Sequence, residues 1–201
     1  MNLINQVRRY RWYRLGKQKI KRLIRESAGK GQLNIIIGAS NTGDTGWIST
    51  DLPHFDILNE KHWEYYFGKQ KIDHLLAEHV LEHLTEEDDQ KVFAFAFKYL
   101  APGGVFRIAV PDGNHSDPKY IEYVAPPATE HLSLWTIDKI QKALTAAGFR
   151  VDPLEYYTAA GILNTKDFDY TNGMVKRSRT KGFVHEKFTN YSSLIVDAYK
   201  S

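Results

Sequence analysis

The chain has 201 residues, of which 42% are hydrophobic and 13% aromatic, enough for one domain with a substantial core. It contains no cysteine, which excludes disulfides, thiolate metal sites and cysteine nucleophiles. No apolar run approaches the ~18 residues of a membrane span, and the first residues lack the apolar stretch of a secretory signal, so the cytoplasm is the expected location.

Residues 1–30 form a strongly basic segment. Ten Lys and Arg against one Glu give it a net charge of +9, and the remaining 17 basic and 23 acidic residues give the rest of the chain −6. Apolar residues recur there at helical spacing, namely Leu3, Val7, Tyr10, Ile20 and Ile24. This spacing predicts a basic amphipathic helix with a break at Gly16. Residues 1–28 either pack on the acidic body as a solvated helix or dock on a membrane surface or a protein partner. Nucleic-acid binding is least favoured, because no nucleic-acid-binding module is evident.

The body starts with two strands joined by small residues. Leu33–Ile37 predicts a buried strand followed by Gly38-Ala39-Ser40, and Trp47–Thr50 predicts a second strand ending in Asp51. Such a pattern is typical of nucleoside binding, because small residues admit the ligand and a carboxylate accepts hydrogen bonds from ribose hydroxyls. The loop Asn41–Gly46 is too short for a crossover helix, which favours a nucleoside cofactor without phosphates. A plain turn followed by an aspartate is the other interpretation.

A strand, a helix and a strand follow between Ile72 and Asp112. Ile72–Ala77 predicts a buried strand, Thr85 caps a helix that Pro102-Gly103-Gly104 ends, and Val105–Val110 predicts another buried strand. Polar residues come directly after the first strand, namely Glu78, His79, Glu82 and His83. Open parallel α/β sheets bind ligands at such strand ends, so the sequence predicts an α/β ligand-binding domain.

The last third of the chain predicts a further helix and two strands. Thr136 caps the helix and Gly148 ends it. Phe149–Tyr157 predicts a strand near a sheet edge, because Pro153 interrupts it. Residues 158–190 are expected to be an insertion, either a flap beside an acceptor site or a β-hairpin extension.

Three segments together resemble the class I S-adenosylmethionine-dependent methyltransferase superfamily: LNIIIGAS…GWISTD, DHLLAEHVLEHL and YLAPGGVFRIAVPD. The nearest group is the small bacterial predicted methyltransferases with a shortened glycine loop. The resemblance covers residues 33–156 and 192–200. It implies a Rossmann-like α/β sandwich over residues 31–201, with a mostly parallel seven-stranded sheet and an antiparallel last strand.

The resemblance also implies a function, which is methyl transfer from S-adenosylmethionine to an acceptor that the sequence does not identify. Small relatives often accompany surface-sugar pathways, so a small molecule or a saccharide is favoured. The superfamily usually has an acid and a second glycine where this chain has Ile36 and Ser40. A non-catalytic relative that binds a nucleoside or a partner is therefore the alternative.

Cofactor-binding positions carry over from the resemblance residue by residue. They are Gly38, Ala39 and Ser40 at the methionine end, Asp51 at the ribose, Leu52, Asp56 and Ile57 at the adenine, and Ala77, Glu78 and His79 after the fourth strand of the family. In this scheme Asp56-Ile57 ends the third strand of the family.

Catalysis is expected to use His83 and Asp112, which follow neighbouring strands of the family's sheet. Histidine can accept a proton from the acceptor near neutral pH, and a carboxylate can orient it. His115 and the pair Glu130-His131 are further candidates.

A zinc hydrolase built on His79-x-x-Glu82-His83 is the third hypothesis, because the His-x-x-Glu-His pattern binds zinc in some metalloproteases. In those enzymes the pattern lies inside a long helix, whereas here it follows a strand. We therefore expect no metal ligands.

Overall fold

The computed structural model describes residues 3–40, 42–188 and 190–201. Asn41, the first residue of the predicted loop, and the side chains of Leu3 and Val7 lie outside the described part. The helices are α1 Leu3–Ala28, α2 Glu60–Phe67, α3 Glu86–Tyr99, α4 Pro118–Val124 and α5 Ile137–Ala146. The strands are β1 Asn34–Ile37, β2 Ile48–Ser49, β3 Ile72–Glu78, β4 Leu100–Pro111, β5 Phe149–Tyr157, β6 Leu163–Thr165 and β7 Ser193–Lys200. Short 3₁₀ turns span Leu81–His83 and Ala128–Glu130.

All seven strands form one sheet in the order β2-β1-β3-β4-β7-β5-β6. The pairs β1–β2, β1–β3 and β3–β4 are parallel, whereas β7 runs antiparallel to both β4 and β5, and β6 runs antiparallel to β5. The predicted Rossmann-like sheet, mostly parallel with an antiparallel last strand, is therefore confirmed. Its parallel part places the carboxyl ends of β1, β2, β3 and β4 along one edge.

One face of the sheet is covered by helices. Alternate strand residues such as Ile35, Leu75 and Phe106 are buried there against α2, α3 and α5. From α1, Ile24 is fully buried in the same cluster, and Ile20 packs against it. The second half of α1 is therefore held to the body by apolar burial.

The segment 158–190 covers the opposite face. Phe168 and Val175 pack there against Ile36 of β1 and Leu76 of β3. Arg107, the polar residue within the predicted β4 strand, lies on this face and makes a buried two-point ion pair with Asp197 of β7. The third guanidinium nitrogen of Arg107, Nη1, donates to the backbone carbonyls of Asp169 and Gly173 in this segment, at 2.8 and 2.7 Å.

Glu155 of β5 holds the same segment at a second point. Its buried carboxylate accepts hydrogen bonds from the backbone N–H groups of Arg179 and Thr180 and from the hydroxyl groups of Ser178 and Ser192. The segment is therefore more than a hairpin extension. Only its first residues form the hairpin strand β6, and the rest is a packed layer.

Several predicted boundaries agree with the structure. Thr85 and Thr136 cap α3 and α5 with their hydroxyl oxygens. The predicted strand Phe149–Tyr157 is β5, although β5 lies one strand in from the edge. Pro153 is tolerated there because the register with β7 shifts between Pro153 and Glu155.

Three expectations are wrong. The helix α1 continues through Gly16, where a side chain would meet the His54 ring, because a Cβ would lie 2.1 Å from its Nε2. No strand forms between β2 and β3 in the described residues, so Asp56 and Ile57 lie in turns rather than at the end of a third strand. Pro102-Gly103-Gly104 lies within β4, because α3 already ends at Tyr99.

Candidate functional site

A cleft of about 350 Å³ opens at the carboxyl ends of β1 and β3. Seven residues that the sequence analysis assigned to a site line it: Gly38, Asp51, Leu52, Asp56, Ile57, His79 and His83. Phe55, Leu58, Val80 and Leu84 complete its walls. This size and this mixture of apolar walls with a few polar groups are typical of small-molecule sites.

Gly38 forms the floor of the cleft at the end of β1. Its φ of +61° is in the left-handed region, and a Cβ at this position would lie 2.5 Å from Cγ2 of Val80. Only glycine fits both the backbone conformation and the close contact. The glycine that the sequence pattern singled out is therefore required by the local geometry.

Asp51 is fixed at the side of the cleft by backbone donors. The N–H groups of Ser40 and Leu52 each donate to one of its carboxylate oxygens at 2.7 Å. Each oxygen keeps a further lone pair, so the carboxylate can still accept hydrogen bonds from two vicinal hydroxyls. Ser40 reaches Asp51 because its own φ is +46°. Ser40 thus contributes its backbone N–H rather than a side-chain contact.

The opposite wall is apolar and more open. Leu52 and Leu58 are exposed at the mouth, and Phe55 is buried behind them. Asp56 is held in its turn by the N–H of Leu58, which donates to its Oδ1 at 3.0 Å. Phe55 and Leu58 were not among the predicted site residues, although both lie next to the predicted pair Asp56-Ile57.

Four of the assigned cofactor-binding residues do not line this cleft: Ala39, Ser40, Ala77 and Glu78. Ala77 is buried among the helix-facing residues, and Ala39 is buried on the other face of the sheet. Glu78 alternates with Ala77 along β3 and so points to the face covered by the segment 158–190, where the N–H of Arg177 donates to its Oε1 at 2.7 Å. The alternation of side chains along a strand explains why consecutive residues cannot all close one pocket.

His79 and Glu82 form a buried pair beside the cleft. His79 Nε2 lies 2.9 Å from Ser193 Oγ, and that hydroxyl donates to the Arg177 carbonyl, so the imidazole N–H is the donor to Ser193. His79 Nδ1 lies 2.9 Å from Glu82 Oε1. Burial acts to raise the pKa of Glu82, but the facing His79 and His83 outweigh it and hold the pKa below its ordinary value.

His83 is exposed and lies at the rim of the cleft. Its Nδ1 is 3.3 Å from the Glu130 carbonyl. Its ring meets the ring of His131 edge to face, with 5.1 Å between their centroids. His131 itself is buried, and its Nδ1 is 2.6 Å from the Val124 carbonyl. The structure therefore brings together His83 and His131, two candidates that are distant in the sequence.

Asp112 is in a different environment. The carboxylate is fully buried and accepts the N–H groups of Asn114 and Tyr157 at 2.9 and 2.6 Å. Burial raises its pKa to about 6. His115 is also buried, with its Nε2 donating to the Asn190 carbonyl. Neither residue lines the cleft. The sequence predicted that Asp112 and His83 converge on one site, and the structure does not bring them together there.

The His79-x-x-Glu82-His83 pattern is not helical at its start. His79 follows the last residue of β3 with a φ of +54°, and only Leu81–His83 form a 3₁₀ turn. The zinc-hydrolase hypothesis requires both histidines on one helical face, and His79 and His83 do not share one.

A second groove of about 530 Å³ runs between α3 and α5. Glu86 and Lys139 in this groove pair with each other at 2.9 Å. It lies away from the strand ends, so the cleft beside Asp51 is the better candidate. Within the described residues, no helix is both long and apolar enough to cross a membrane.

Comparisons with known proteins bear on the fold and the family. A family profile described as a methyltransferase domain matches residues 20–154. No curated protein matches the chain in sequence.

Two solved structures illustrate the likeness. One is the complex between the Haloferax volcanii Trm112 methyltransferase activator and a protein described as a methyltransferase; it is 12% identical over 85% of this chain and 82% of that chain, with a TM-score of 0.51. The other is a SAM-dependent methyltransferase from Archaeoglobus fulgidus, 15% identical over 92% and 94% of the two chains, with a TM-score of 0.47. At so low an identity, the first of these likenesses shows a shared fold and nothing further.

Proposed function

Because the chain belongs to the class I S-adenosylmethionine-dependent methyltransferase superfamily, through the methyltransferase domain matched over residues 20–154, we propose that it transfers the methyl group of S-adenosylmethionine to a small-molecule or saccharide acceptor. S-adenosylmethionine is the cofactor of this superfamily.

The cleft beside Asp51 is the observation that carries the proposal. Gly38 provides a floor without a side chain, Asp51 presents two carboxylate oxygens for a ribose diol, and Leu52 and Leu58 present apolar surface for adenine. A nucleoside without phosphates fits this arrangement, because the described part of the cleft contains no lysine or arginine.

Methyl transfer from S-adenosylmethionine requires little acid–base catalysis by the protein. The sulfonium group of the cofactor already activates the methyl group, so the main task is to hold the acceptor in line with the bond from sulfur to methyl. A hydroxyl acceptor must also lose a proton, and we propose that His83 at the rim acts on that proton. Asp112 is assigned instead to the turn after β4, because backbone N–H groups hold both of its oxygens.

The departures from the glycine pattern do not favour a non-catalytic relative. Ser40 adopts the left-handed backbone conformation and donates its N–H to Asp51. Ile36 faces the apolar layer formed with Phe168 and Val175, where an acid would be buried without a partner.

A methyl-release assay tests the proposal. The purified chain is incubated with S-adenosylmethionine labelled in its methyl group and with panels of sugars, small metabolites and nucleic acids. We expect label in a sugar or small-metabolite product, and labelling that is ~100-fold or more slower with His83→Gln at matched concentration. Cofactor binding without transfer to any acceptor in these panels would favour the non-catalytic relative.

For α1 we propose that its first half docks on an anionic membrane surface. Tyr10, Trp12 and Leu15 are 62%, 54% and 55% exposed, and Arg8, Arg11 and Arg14 lie among them. Apolar and aromatic side chains mixed with arginines are typical of helices that lie in a membrane interface. Ile24 anchors the other end of the helix in the core. Residues 1–30 are thus proposed as an appendage whose second half is part of the body.

A further inference from the structure

The ends of two segments meet beside the cofactor cleft and bring three metal-ligating side chains together. Glu82 and His83 lie in the 3₁₀ turn after β3, and His131 follows the turn before α5. Each offers one ligand atom, and these atoms all lie within 4.8 Å of one another. The backbone fixes the arrangement, because the N–H of Leu132 donates to the Glu82 carbonyl at 2.7 Å.

The buried carboxylate of Glu82 faces His79 at ion-pair distance but makes no hydrogen bond with the described residues. Its side chain is 1% exposed, and neither oxygen has a hydrogen-bond partner among the described residues. The contact of Oε1 with His79 is as short as an ion pair, but it does not have the angle of a hydrogen bond. Buried charged oxygens are normally paired, hydrogen-bonded or bound to a metal.

The two imidazoles are oriented as metal-binding histidines usually are. Nδ1 of His131 faces the Val124 carbonyl at 2.6 Å, and Nδ1 of His83 faces the Glu130 carbonyl at 3.3 Å. A carbonyl only accepts, so Nδ1 carries the proton in both neutral rings and Nε2 keeps its lone pair. Metal-bound histidines commonly donate their second nitrogen to a backbone carbonyl in this way.

From these observations we infer that Glu82, His83 and His131 bind one divalent transition-metal ion. Two imidazoles and one carboxylate with open positions are typical of catalytic Zn²⁺ and of related first-row ions. Such an ion lies about 2.0–2.2 Å from each ligand, so the ligand atoms close towards it, and the exposed His83 is the side chain free to move. No metal was expected from the sequence because the His-x-x-Glu-His pattern follows a strand, and His131, which lies outside that pattern, could not be recognised as a ligand.

The catalytic role inferred here for the metal site rests on the proposed methyl transfer. Because His83 also lines the cleft, the ion lies where an acceptor would enter. A bound cation lowers the pKa of a coordinated hydroxyl, so the acceptor is an alcohol or a phenol. In this arrangement His83 would act on the acceptor proton through the ion that it holds, rather than by accepting the proton: the proton would pass to solvent, the acceptor oxygen would bond to the methyl carbon, and the carbon–sulfur bond would break with the electron pair left on sulfur. S-adenosylhomocysteine and the methyl ether are the products, and the ion is unchanged.

Metal binding is tested first without cofactor. Chelator-treated full chain is titrated with Zn²⁺ and with Mn²⁺ in a calorimeter, and bound metal is counted after desalting. We expect one ion per chain, and affinity lowered ~10-fold or more in His83→Ala, in His131→Ala and in Glu82→Gln. His74→Gln, at the other end of β3, is the matched control and should bind as the parent does. Thermal melts monitored by circular dichroism check that each variant is folded.

The outcomes separate the metal site from the methyl transfer. Unchanged metal affinity in all three ligand variants, or no binding by the parent chain, overturns the site even if S-adenosylmethionine still binds. Failure to bind S-adenosylmethionine with an intact metal site overturns the proposed function instead. If both bind, a chelator should abolish methyl transfer while leaving cofactor affinity unchanged, and full transfer in the chelator overturns the catalytic role of the ion.

Discussion

Strands β3 and β4 are neighbours, and each is followed by a polar segment that contains a histidine and an acid. After β3, His83 is exposed at the rim of a cleft, and the Glu82 carboxylate is buried without a hydrogen bond to any described residue. After β4, Asp112 is equally buried, but the backbone N–H groups of Asn114 and Tyr157 satisfy it. The segment after β3 therefore has polar side-chain atoms available to bind a ligand, whereas the carboxylate of Asp112 after β4 is taken up by hydrogen bonds within its own surroundings.

The largest contrast is expected in turnover. His83→Gln should lower the rate of methyl transfer ~100-fold or more, because the group acting on the proton of the acceptor is lost. Cofactor affinity and the melting temperature of the metal-free chain should stay unchanged, since His83 is exposed at the rim. Asp112→Asn, measured in the same assay, should transfer methyl within a few-fold of the parent. A variant of His83 with full activity would remove the distinction between the two segments.

The second contrast concerns stability and pH. Burial raises the folded pKa of Asp112 to about 6, above its ordinary value, so the fold favours the protonated acid. That contribution is fully present below about pH 4 and is lost as the pH rises through about 6. A shift of about two units corresponds to roughly 2–3 kcal/mol.

Urea unfolding of the parent and of Asp112→Asn at pH 4, 5, 6 and 7 measures this contribution. Relative to the parent, the asparagine variant should gain roughly 2–3 kcal/mol between pH 4 and pH 7, because it cannot ionise. A difference between the two proteins that stays constant with pH would show that Asp112 does not titrate in this range.

The segment after β3 and the proposed ribose-binding residue Asp51 line the same cleft, so the third prediction concerns Asp51. Asp51→Ala should weaken S-adenosylmethionine binding by about 1–3 kcal/mol, the usual cost of losing a charged hydrogen-bond partner. The control is Asp138→Ala, an exposed aspartate in the first turn of α5. Equal affinities for the two variants would remove Asp51 from the site.

The smallest effect is expected far from both segments, in α1. Arg11→Gln should lower binding to vesicles containing phosphatidylserine by about 1 kcal/mol, and the binding should weaken in higher salt. Lys142→Gln, an exposed residue of the body, should leave binding unchanged. If the parent chain ignores anionic vesicles, a protein partner becomes the better explanation of the exposed Tyr10 and Trp12.

The family resemblance was sufficient for the architecture of the sheet, and strand pattern was sufficient for much of the cleft. Gly38 and Asp51 follow buried strands, and strand periodicity with strand-end position is enough to place such residues at one edge. The pattern could not predict that the Asp112 side chain is buried, because its burial depends on a hydrogen bond from the N–H of Tyr157, which is distant in sequence.

Two other features were also beyond sequence analysis. The pairing of His83 with His131 depends on the backbone contact between Glu82 and Leu132, which joins separate segments. Glu78 was misplaced for a simpler reason, since it faces the opposite side of the strand from Ala77. Tertiary contacts, rather than local pattern, decide which strand-end residues remain available to a ligand.

Calorimetric titration of the purified chain with S-adenosylmethionine tests the central claim most directly. The cleft beside Asp51 predicts saturable binding of one molecule per chain, competition by S-adenosylhomocysteine, and weaker binding in Asp51→Ala. No binding by the folded parent chain, or binding that Asp51→Ala leaves untouched, would contradict the assignment of this cleft as the cofactor site.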